Sequence, residues 1–172
     1  MQRTIKRVWN AITTVLVSLI VILAVLLWGF KLLGMEVLVV QSGSMEPAYH
    51  VGSLVYVKNV DASELEVGDV ITFDLGGGVR GTHRIIEVVE ENDALAFRTK
   101  GDANEAADNN LVLPEDIIGK VKFTIPYLGF VITYIQQPPG TYVMVCVVAF
   151  ILLLTILPDI IFSEKKKQED RL

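Results

Sequence analysis

The sequence is poor in the residues from which disulfides and metal sites are built. Among 172 residues there are one cysteine and two histidines. The single cysteine, Cys146, cannot form an internal disulfide, and it is expected to act as a small apolar side chain in an apolar run. Two histidines without a nearby cysteine give no recognisable zinc-ligand spacing. The sequence therefore predicts no metal and no cofactor.

Charge is missing from two long stretches near the ends of the chain. Residues 8–30 are 23 positions without a charged side chain, and residues 141–158 are another 18. About 20 apolar residues in an α-helix cross a hydrocarbon core of roughly 30 Å, so two transmembrane helices are predicted. A cleaved signal peptide at the first run and a buried core helix at either run are the alternatives. The first run is longer than the roughly 7 to 15 apolar residues of a signal peptide.

The cations that flank the two runs predict the orientation of the chain. Lysine and arginine near a span are retained on the cytoplasmic side, so both termini are predicted to be cytoplasmic and the middle of the chain extracytoplasmic. The predicted division is residues 1–7 as cytoplasmic N-terminus, 8–33 as first transmembrane helix, 34–136 as extracytoplasmic domain, 137–162 as linker and second transmembrane helix, and 163–172 as cytoplasmic tail. The flanking cations are Arg3, Lys6, Arg7, Lys165, Lys166, Lys167 and Arg171.

The stretch between the two apolar runs is acidic. Residues 34–136 contain 16 aspartates and glutamates against 7 lysines and arginines, a net charge of −9. This balance argues against nucleic acid or anionic lipid as the main partner. The lipid bilayer is expected as a partner of the apolar runs, and Tyr127 and Tyr134 have side chains that suit its interface. Part of the segment 123–130 is expected to rest against the outer membrane surface, and burial in a core is the alternative.

Short β-branched runs dominate the middle of the chain. Strands are predicted near residues 37–40, 52–57, 70–73, 81–89, 95–99 and 117–123. Three glycines at 76–78 predict a hairpin tip, and Asn92 and Asp93 predict a turn. A helical turn is expected to begin at Asp61 or Ser63. No βαβ alternation is present. The predicted fold is a mainly antiparallel β domain flanked by one N-terminal and one C-terminal transmembrane α-helix.

One short segment carries a candidate nucleophile. Residues 42–47 read SGSMEP directly after a predicted strand. Such a segment also forms ordinary turns, so a turn without chemistry is the alternative. As a nucleophile, Ser44 needs a base within hydrogen-bond reach and donors for the developing oxyanion. His50 and His83 are the histidines available, and Asp102 and Asp108 are candidate carboxylates to orient a base.

Four segments, taken in order, resemble the conserved boxes of type I signal peptidases. They are SGSMEP at 42–47, GDVITF at 68–73, THRI at 82–85 and KGD at 100–102. They are most similar to the branch shared by the endoplasmic reticulum, archaea and some Gram-positive bacteria, in which histidine takes the place of the lysine base. The resemblance covers about residues 36–130.

The resemblance implies roles for the site residues. Ser44 is the implied nucleophile and His83 the general base, whereas His50 is expected to cap or pack the turn after Pro47. The oxyanion donors are expected to be the backbone N–H of Ser44 and, by likeness to the lysine-using branch, the hydroxyl of Ser42. A Ser/Lys dyad with Lys100 as base is the alternative.

The resemblance also implies that Asp108 is the third member of a triad and Asp102 a supporting residue. Ala103 and Ala107 depart from the commoner pattern, which has asparagine after the first aspartate and paired aspartates at the second place. The resemblance therefore gives less support to the assignment between the two aspartates than to the assignments of Ser44 and His83.

The activity implied is removal of signal peptides from secreted preproteins, with a small residue before the cut and another two residues earlier. The expected partners are these signal peptides and the bilayer, close to the secretion translocon. The expected location is the plasma membrane, or the endoplasmic reticulum membrane in a eukaryote. The alternatives are a signal peptidase dedicated to a few clients and a catalytically silent membrane-tethered binding or assembly subunit.

Activity is expected to fall in acid because a general base must be neutral to accept a proton. With a histidine as base, the cleavage rate is therefore expected to fall below about pH 6. The measurement is the rate of preprotein cleavage from about pH 5 to pH 8. A rate that is flat across this range contradicts a histidine base.

Overall fold

A computed structural model of the chain describes residues 2–91 and 94–169. These residues form two compact units, one made of residues 2–26 and 134–169 and the other of residues 27–91 and 94–133. The predicted turn at Asn92 and Asp93, the cation Arg171 and the extreme ends of the predicted segments 1–7 and 163–172 lie outside the described residues.

The first unit is helical. Helix α1 is Gln2–Ala24 and helix α4 is Gly140–Glu169. The indole Nε1 of Trp9 on α1 donates a hydrogen bond of 2.9 Å to the carbonyl of Leu154 on α4. Within the described residues, the stretch Arg7–Ala24 is long and apolar enough to cross a membrane. A second candidate span exists there only as the bent pair Leu128–Gln136 and Gly140–Ile156.

The strands of the second unit are β1 Met35–Val39, β2 Leu54–Lys58, β3 Val70–Asp74, β4 Arg80–Glu91, β5 Ala94–Lys100 and β6 Ile117–Ile125. Within the described residues these six strands form one antiparallel sheet in the order β1-β2-β6-β3-β4-β5. The prediction of a mainly antiparallel β domain is therefore confirmed. The short helical elements are a π-helical turn Val25–Gly29, α2 Phe30–Leu32, 3-10 turns Ala62–Glu64 and Pro114–Asp116, and α3 Leu128–Gln136.

Apolar residues on both faces of the central strands build the core. The first four residues of β2 and of β3 are all buried, because successive side chains of a strand point to opposite faces and both faces are covered. Burial of each large apolar side chain contributes about 1.5 to 3 kcal/mol. One cluster contains Leu65, Ile71, Phe73, Ile85, Phe97 and Val112, and the other contains Met45, Val55, Val57, Val70 and Val121.

Two short elements show how far local patterns predict this fold. The helical turn expected from Asp61 is confirmed as a 3-10 turn whose N-cap is Asp61, with its side chain accepting from the backbone N–H of Ser63. Helix α3 was not predicted, because its three β-branched residues at 131–133 disfavour a helix. In the structure the helix packs closely against the loop at Gly52. A Cβ added at Gly129 would lie 2.6 Å from the carbonyl oxygen of Gly52.

Candidate active site

Ser44 lies in the loop between β1 and β2 and is fixed by its neighbours. The backbone N–H of Glu46 donates to the carbonyl of Gly43 at 3.0 Å, and that of Tyr49 donates to the carbonyl of Met45 at 2.9 Å. The side chain of Met45 is 2% exposed and packs in the second core cluster. Because the next residue is anchored in the core, the Ser44 hydroxyl has a defined position beside the sheet.

His83 reaches Ser44 from strand β4. The strand register places it opposite Ile71 of β3, and its ring meets that of Phe73 edge-on with centroids 6.2 Å apart. The distance from His83 Nε2 to Ser44 Oγ is 3.2 Å. Sheet pairing thus brings together two residues that are 39 positions apart in the sequence.

Asp108 completes the series on the other side of the imidazole. Its Oδ2 lies 2.6 Å from His83 Nδ1, and the two side chains are 26% and 17% exposed. A carboxylate only accepts hydrogen bonds, so in the neutral imidazole Nδ1 carries the proton and Nε2 presents its lone pair to Ser44. The hydroxyl of Thr99 donates to the same oxygen of Asp108 at 2.7 Å. The sequence analysis did not single out Thr99.

Asp102 has a different partner. Its two carboxylate oxygens accept from Nε and Nη2 of Arg84 at 2.8 and 2.6 Å, and Nη1 of Arg84 donates to the carbonyl of Gly68 at 2.8 Å. The hydrogen bonds to Asp102 raise the pKa of Arg84 above its ordinary value. The structure therefore brings Asp108 to His83 and Asp102 to the neighbouring arginine.

The loop after β5 returns against the backbone of the nucleophile. The N–H of Ala103 donates to the carbonyl of Ser44 at 2.8 Å. A Cβ added at Gly101 would lie 2.6 Å from that carbonyl oxygen. Glycine at 101 is thus what allows the loop carrying Asp102 to approach Ser44 so closely.

The remaining predicted residues lie around this series. Ser42 Oγ is 3.3 Å from Ser44 Oγ. His50 Nδ1 lies 2.5 Å from a carboxylate oxygen of Glu46. The prediction that His50 belongs to the turn is confirmed, and its hydrogen bond lowers the pKa of Glu46. Lys100 pairs with Arg84 in the strand register, and in the described part of the chain it makes no hydrogen bond to Ser44.

Two cavities meet at His83. One has a volume of about 630 Å³ and is lined by Ser44, Met45 and apolar side chains of β1 and the following residue. The other, of about 880 Å³, is lined by His83 and Asp108 without Ser44. An extended polypeptide lying over Ser44 therefore has room on both sides of the imidazole. Among residues 2–91 and 94–169, no group of three or more histidine, cysteine or acidic side chains could hold a metal ion.

A hydroxyl, an imidazole and a carboxylate joined in series have the arrangement that Ser-His-Asp hydrolases use. Here the three groups are carried by an antiparallel sheet and two of its loops, beside a partly apolar cavity. The class of protein that this fold and site define is a hydrolase.

Comparisons with known proteins identify the family. Residues 11–91 match the family model described as signal peptidase, peptidase S26. The chain is 38% identical over 120 residues to signal peptidase I W of Bacillus subtilis, a match that covers 65% of this chain and 63% of that protein. It is 34% identical over 151 residues to the signal peptidase complex catalytic subunit SEC11C of Rattus norvegicus and 33% identical to that of Homo sapiens, with 79% of each chain covered in both cases. The chain belongs to the signal peptidase family, peptidase S26.

Family membership confirms the resemblance predicted from the four segments. The chain is accordingly a hydrolase of the protease class, and one apolar helix near its N-terminus, Arg7–Ala24, fits membrane association. The matched segment spans less than two thirds of the Bacillus protein and about four fifths of the SEC11C subunits.

Proposed function

We propose that this chain is a membrane-bound serine endopeptidase that removes N-terminal signal peptides from exported proteins, with Ser44 as nucleophile, His83 as general base and Asp108 as the orienting carboxylate. The observation that carries the proposal is the unbroken series from Ser44 Oγ through the imidazole to Asp108, with distances of 3.2 and 2.6 Å. Asp102 supports the site through Arg84.

In the proposed reaction the Ser44 oxygen attacks the carbonyl carbon before the cut. His83 Nε2 takes the Ser44 proton and then delivers it to the leaving amine, which departs as the N-terminus of the mature protein. Water, activated by the same nitrogen, hydrolyses the resulting ester and restores the Ser44 hydroxyl. Asp108 keeps the proton on Nδ1 and stabilises the imidazolium that forms in each half of the cycle.

The oxyanion is proposed to bind the backbone N–H of Ser44 and the hydroxyl of Ser42. Within the described residues the N–H of Ser44 has no backbone acceptor, so it is available to a substrate. The Ser42 hydroxyl lies 3.3 Å from the nucleophile oxygen. Losing one such donor typically raises the barrier by about 2.7 to 4 kcal/mol.

The substrate is proposed to bind as an extended segment beside β1. β1 is an edge strand of the sheet, so a substrate segment can pair with its outer side as an added strand. The cavity at Ser44 is lined on this side by Leu38 and Val40 and by the buried Met45. Apolar walls of this kind suit the small side chains that the resemblance implies before the cut.

The proposed topology is two-pass, with α1 and α4 as spans, both termini cytoplasmic and the β unit between them outside. One feature of the helix pair supports a membrane setting for α4. Pro158 lies in α4 and has no N–H, so the carbonyl of Leu154 lacks its usual helical donor. Trp9 of α1 donates to this carbonyl at 2.9 Å. Lipid offers no hydrogen bonds, so each backbone group there needs such a partner.

Replacing Trp9 with phenylalanine is expected to lower the stability of the helix pair by about 0.6 to 2 kcal/mol, because the Leu154 carbonyl loses its donor. The change Pro158→Ala restores a helical N–H to that carbonyl. Combined with Trp9→Phe, it should therefore remove most of the loss. The measurement is thermal unfolding of the full chain in detergent. Equal losses in the single and double variants contradict the role given to the tryptophan.

The function is tested with cells depleted of the chain. The proposal expects many exported proteins to keep their signal peptides, with processing restored by the wild type and not by Ser44→Ala. Loss of processing in only a few proteins supports a peptidase dedicated to those clients. Restoration by Ser44→Ala supports the silent assembly subunit. Location at the plasma membrane or endoplasmic reticulum, and closeness to the translocon, are read from the same cells by fractionation and crosslinking.

A further inference from the structure

Thr99 is a polar residue that the reaction described above does not use. It lies near the end of β5, paired with Ile85 of β4, and its side chain is 0% exposed. Its hydroxyl donates to Oδ2 of Asp108 at 2.7 Å. The same oxygen accepts the bond from His83 Nδ1 at 2.6 Å. A single carboxylate oxygen therefore receives both the imidazole proton and the threonine proton.

The backbone adds a second attachment between the same two residues. The N–H of Asp108 donates to the carbonyl of Thr99 at 2.8 Å. Asp108 itself belongs to a loop and is 26% exposed, so water can reach its carboxylate. Thr99 belongs to a strand whose neighbour carries His83. The two bonds therefore tie a loop carboxylate to the sheet that positions the imidazole.

We infer that Thr99 is a positioning residue, which selects the orientation of the Asp108 carboxylate in which Oδ2 faces His83. The inference rests on the proposed function. A carboxylate on a loop can turn about its Cβ–Cγ bond, and water competes for its oxygens. A hydroxyl that is fully buried has no water as partner, so its one proton goes to the carboxylate. In this orientation of the carboxylate, the Thr99 hydroxyl has an acceptor and Oδ2 of Asp108 has a donor.

The orientation matters because it sets the tautomer of the base. With Oδ2 on Nδ1, the imidazole carries its proton there and leaves Nε2 free to accept from Ser44. Without the threonine hydroxyl, other carboxylate orientations and the other tautomer become populated. Thr99 touches no reacting atom, so its loss reduces the fraction of enzyme ready to react without changing substrate binding. The expected effect is a fall in kcat of about 10- to 100-fold with KM unchanged.

The experiment compares Thr99→Ser with Thr99→Ala in the full chain in liposomes, using a labelled preprotein. Both variants lose the methyl group and only the alanine loses the hydroxyl, so packing effects are shared. Thr99→Ser should stay within a few-fold of the wild-type kcat, and Thr99→Ala should show the full fall. A matched control is Thr72→Val. Thr72 is equally buried, and its hydroxyl bonds Thr82 at 2.9 Å, away from Asp108.

A second readout follows the imidazole directly. The chain has two histidines, so nitrogen-15 signals of the rings are few, and a His50→Gln variant assigns them. The inference expects the Nδ1-protonated form of His83 in the wild type and in Thr99→Ser, and a mixture of tautomers in Thr99→Ala. Should the alanine variant fold poorly, Thr99→Val is read in the same way.

Equal kcat values for the serine and alanine variants, or an unchanged tautomer in Thr99→Ala, overturn the inference. Failure of the proposed function looks different. In that case Ser44→Ala and His83→Ala, run in the same series, keep their activity. If these two are inactive while Thr99→Ala is unaffected, only the role of Thr99 is wrong.

Discussion

Replacing Ser44 with alanine is expected to lower kcat for preprotein cleavage on the order of 10⁴- to 10⁶-fold, because no other described side chain is placed to form the ester intermediate. His83→Ala should lose a similar amount, since the hydroxyl has no other base within hydrogen-bond distance in the described part of the chain. The two residues act as a unit. The double variant should therefore lose little more than either single variant, which is measured by comparing kcat for all three in liposomes.

The second histidine provides a matched control for this series. His50 bonds Glu46 in the turn and stacks on Tyr127, so His50→Gln should cut at close to the wild-type rate. Cleavage by Ser44→Ala at the wild-type rate would contradict a serine mechanism. Losses in His83→Ala and Ser44→Ala that multiply in the double variant would show that the two side chains act independently.

Replacing Asp108 with asparagine is expected to lower kcat by about 10³- to 10⁴-fold. An asparagine amide can present its NH₂ group to Nδ1, which favours the tautomer with the proton on Nε2 and removes the base. Asp102→Asn should act chiefly on stability. Its partner Arg84 is 34% exposed, so solvent screening limits the expected loss to about 1 kcal/mol. The measurements are kcat and the thermal midpoint for both variants in detergent.

The variant with the larger loss of kcat identifies the third member of the triad. This choice between Asp102 and Asp108 has less support from the sequence than the assignments of the other site residues. A large kcat loss in Asp102→Asn with a small one in Asp108→Asn would exchange their roles. Similar large losses in both would indicate that the pair with Arg84 also fixes the catalytic loop, through the contact of Ala103 with the Ser44 carbonyl.

The strands of this fold could be predicted because short runs of β-branched and aromatic residues lie between turn signals. The predicted strand 70–73 lies within Val70–Asp74, and the predicted hairpin tip of three glycines lies between β3 and β4. Helix α3 could not be predicted in this way. Its β-branched residues favour a strand, and its helical form is accompanied by close packing of Gly129 on the loop at Gly52.

The active site likewise contains residues that could be predicted from the sequence and residues that could not. Ser44 and His83 were identified from short segments that resemble a known family, and the sheet brings them within 3.2 Å. Loop carboxylates have no periodicity, so only the folded loop distinguishes a partner of His83 from a partner of Arg84. Thr99 gave no signal, because threonine is common in strands for its branched side chain alone. Its hydroxyl becomes informative only when Asp108 lies 2.7 Å away.

The most direct test of the proposed peptidase activity is an intact-mass measurement of the products formed when the full chain in liposomes meets a purified preprotein. The expected result is two products from one cut, with a small residue at the new C-terminus and another two positions earlier, and no products with Ser44→Ala. Products at several unrelated sites would contradict a signal peptidase. The same single cut by Ser44→Ala would contradict Ser44 as the nucleophile.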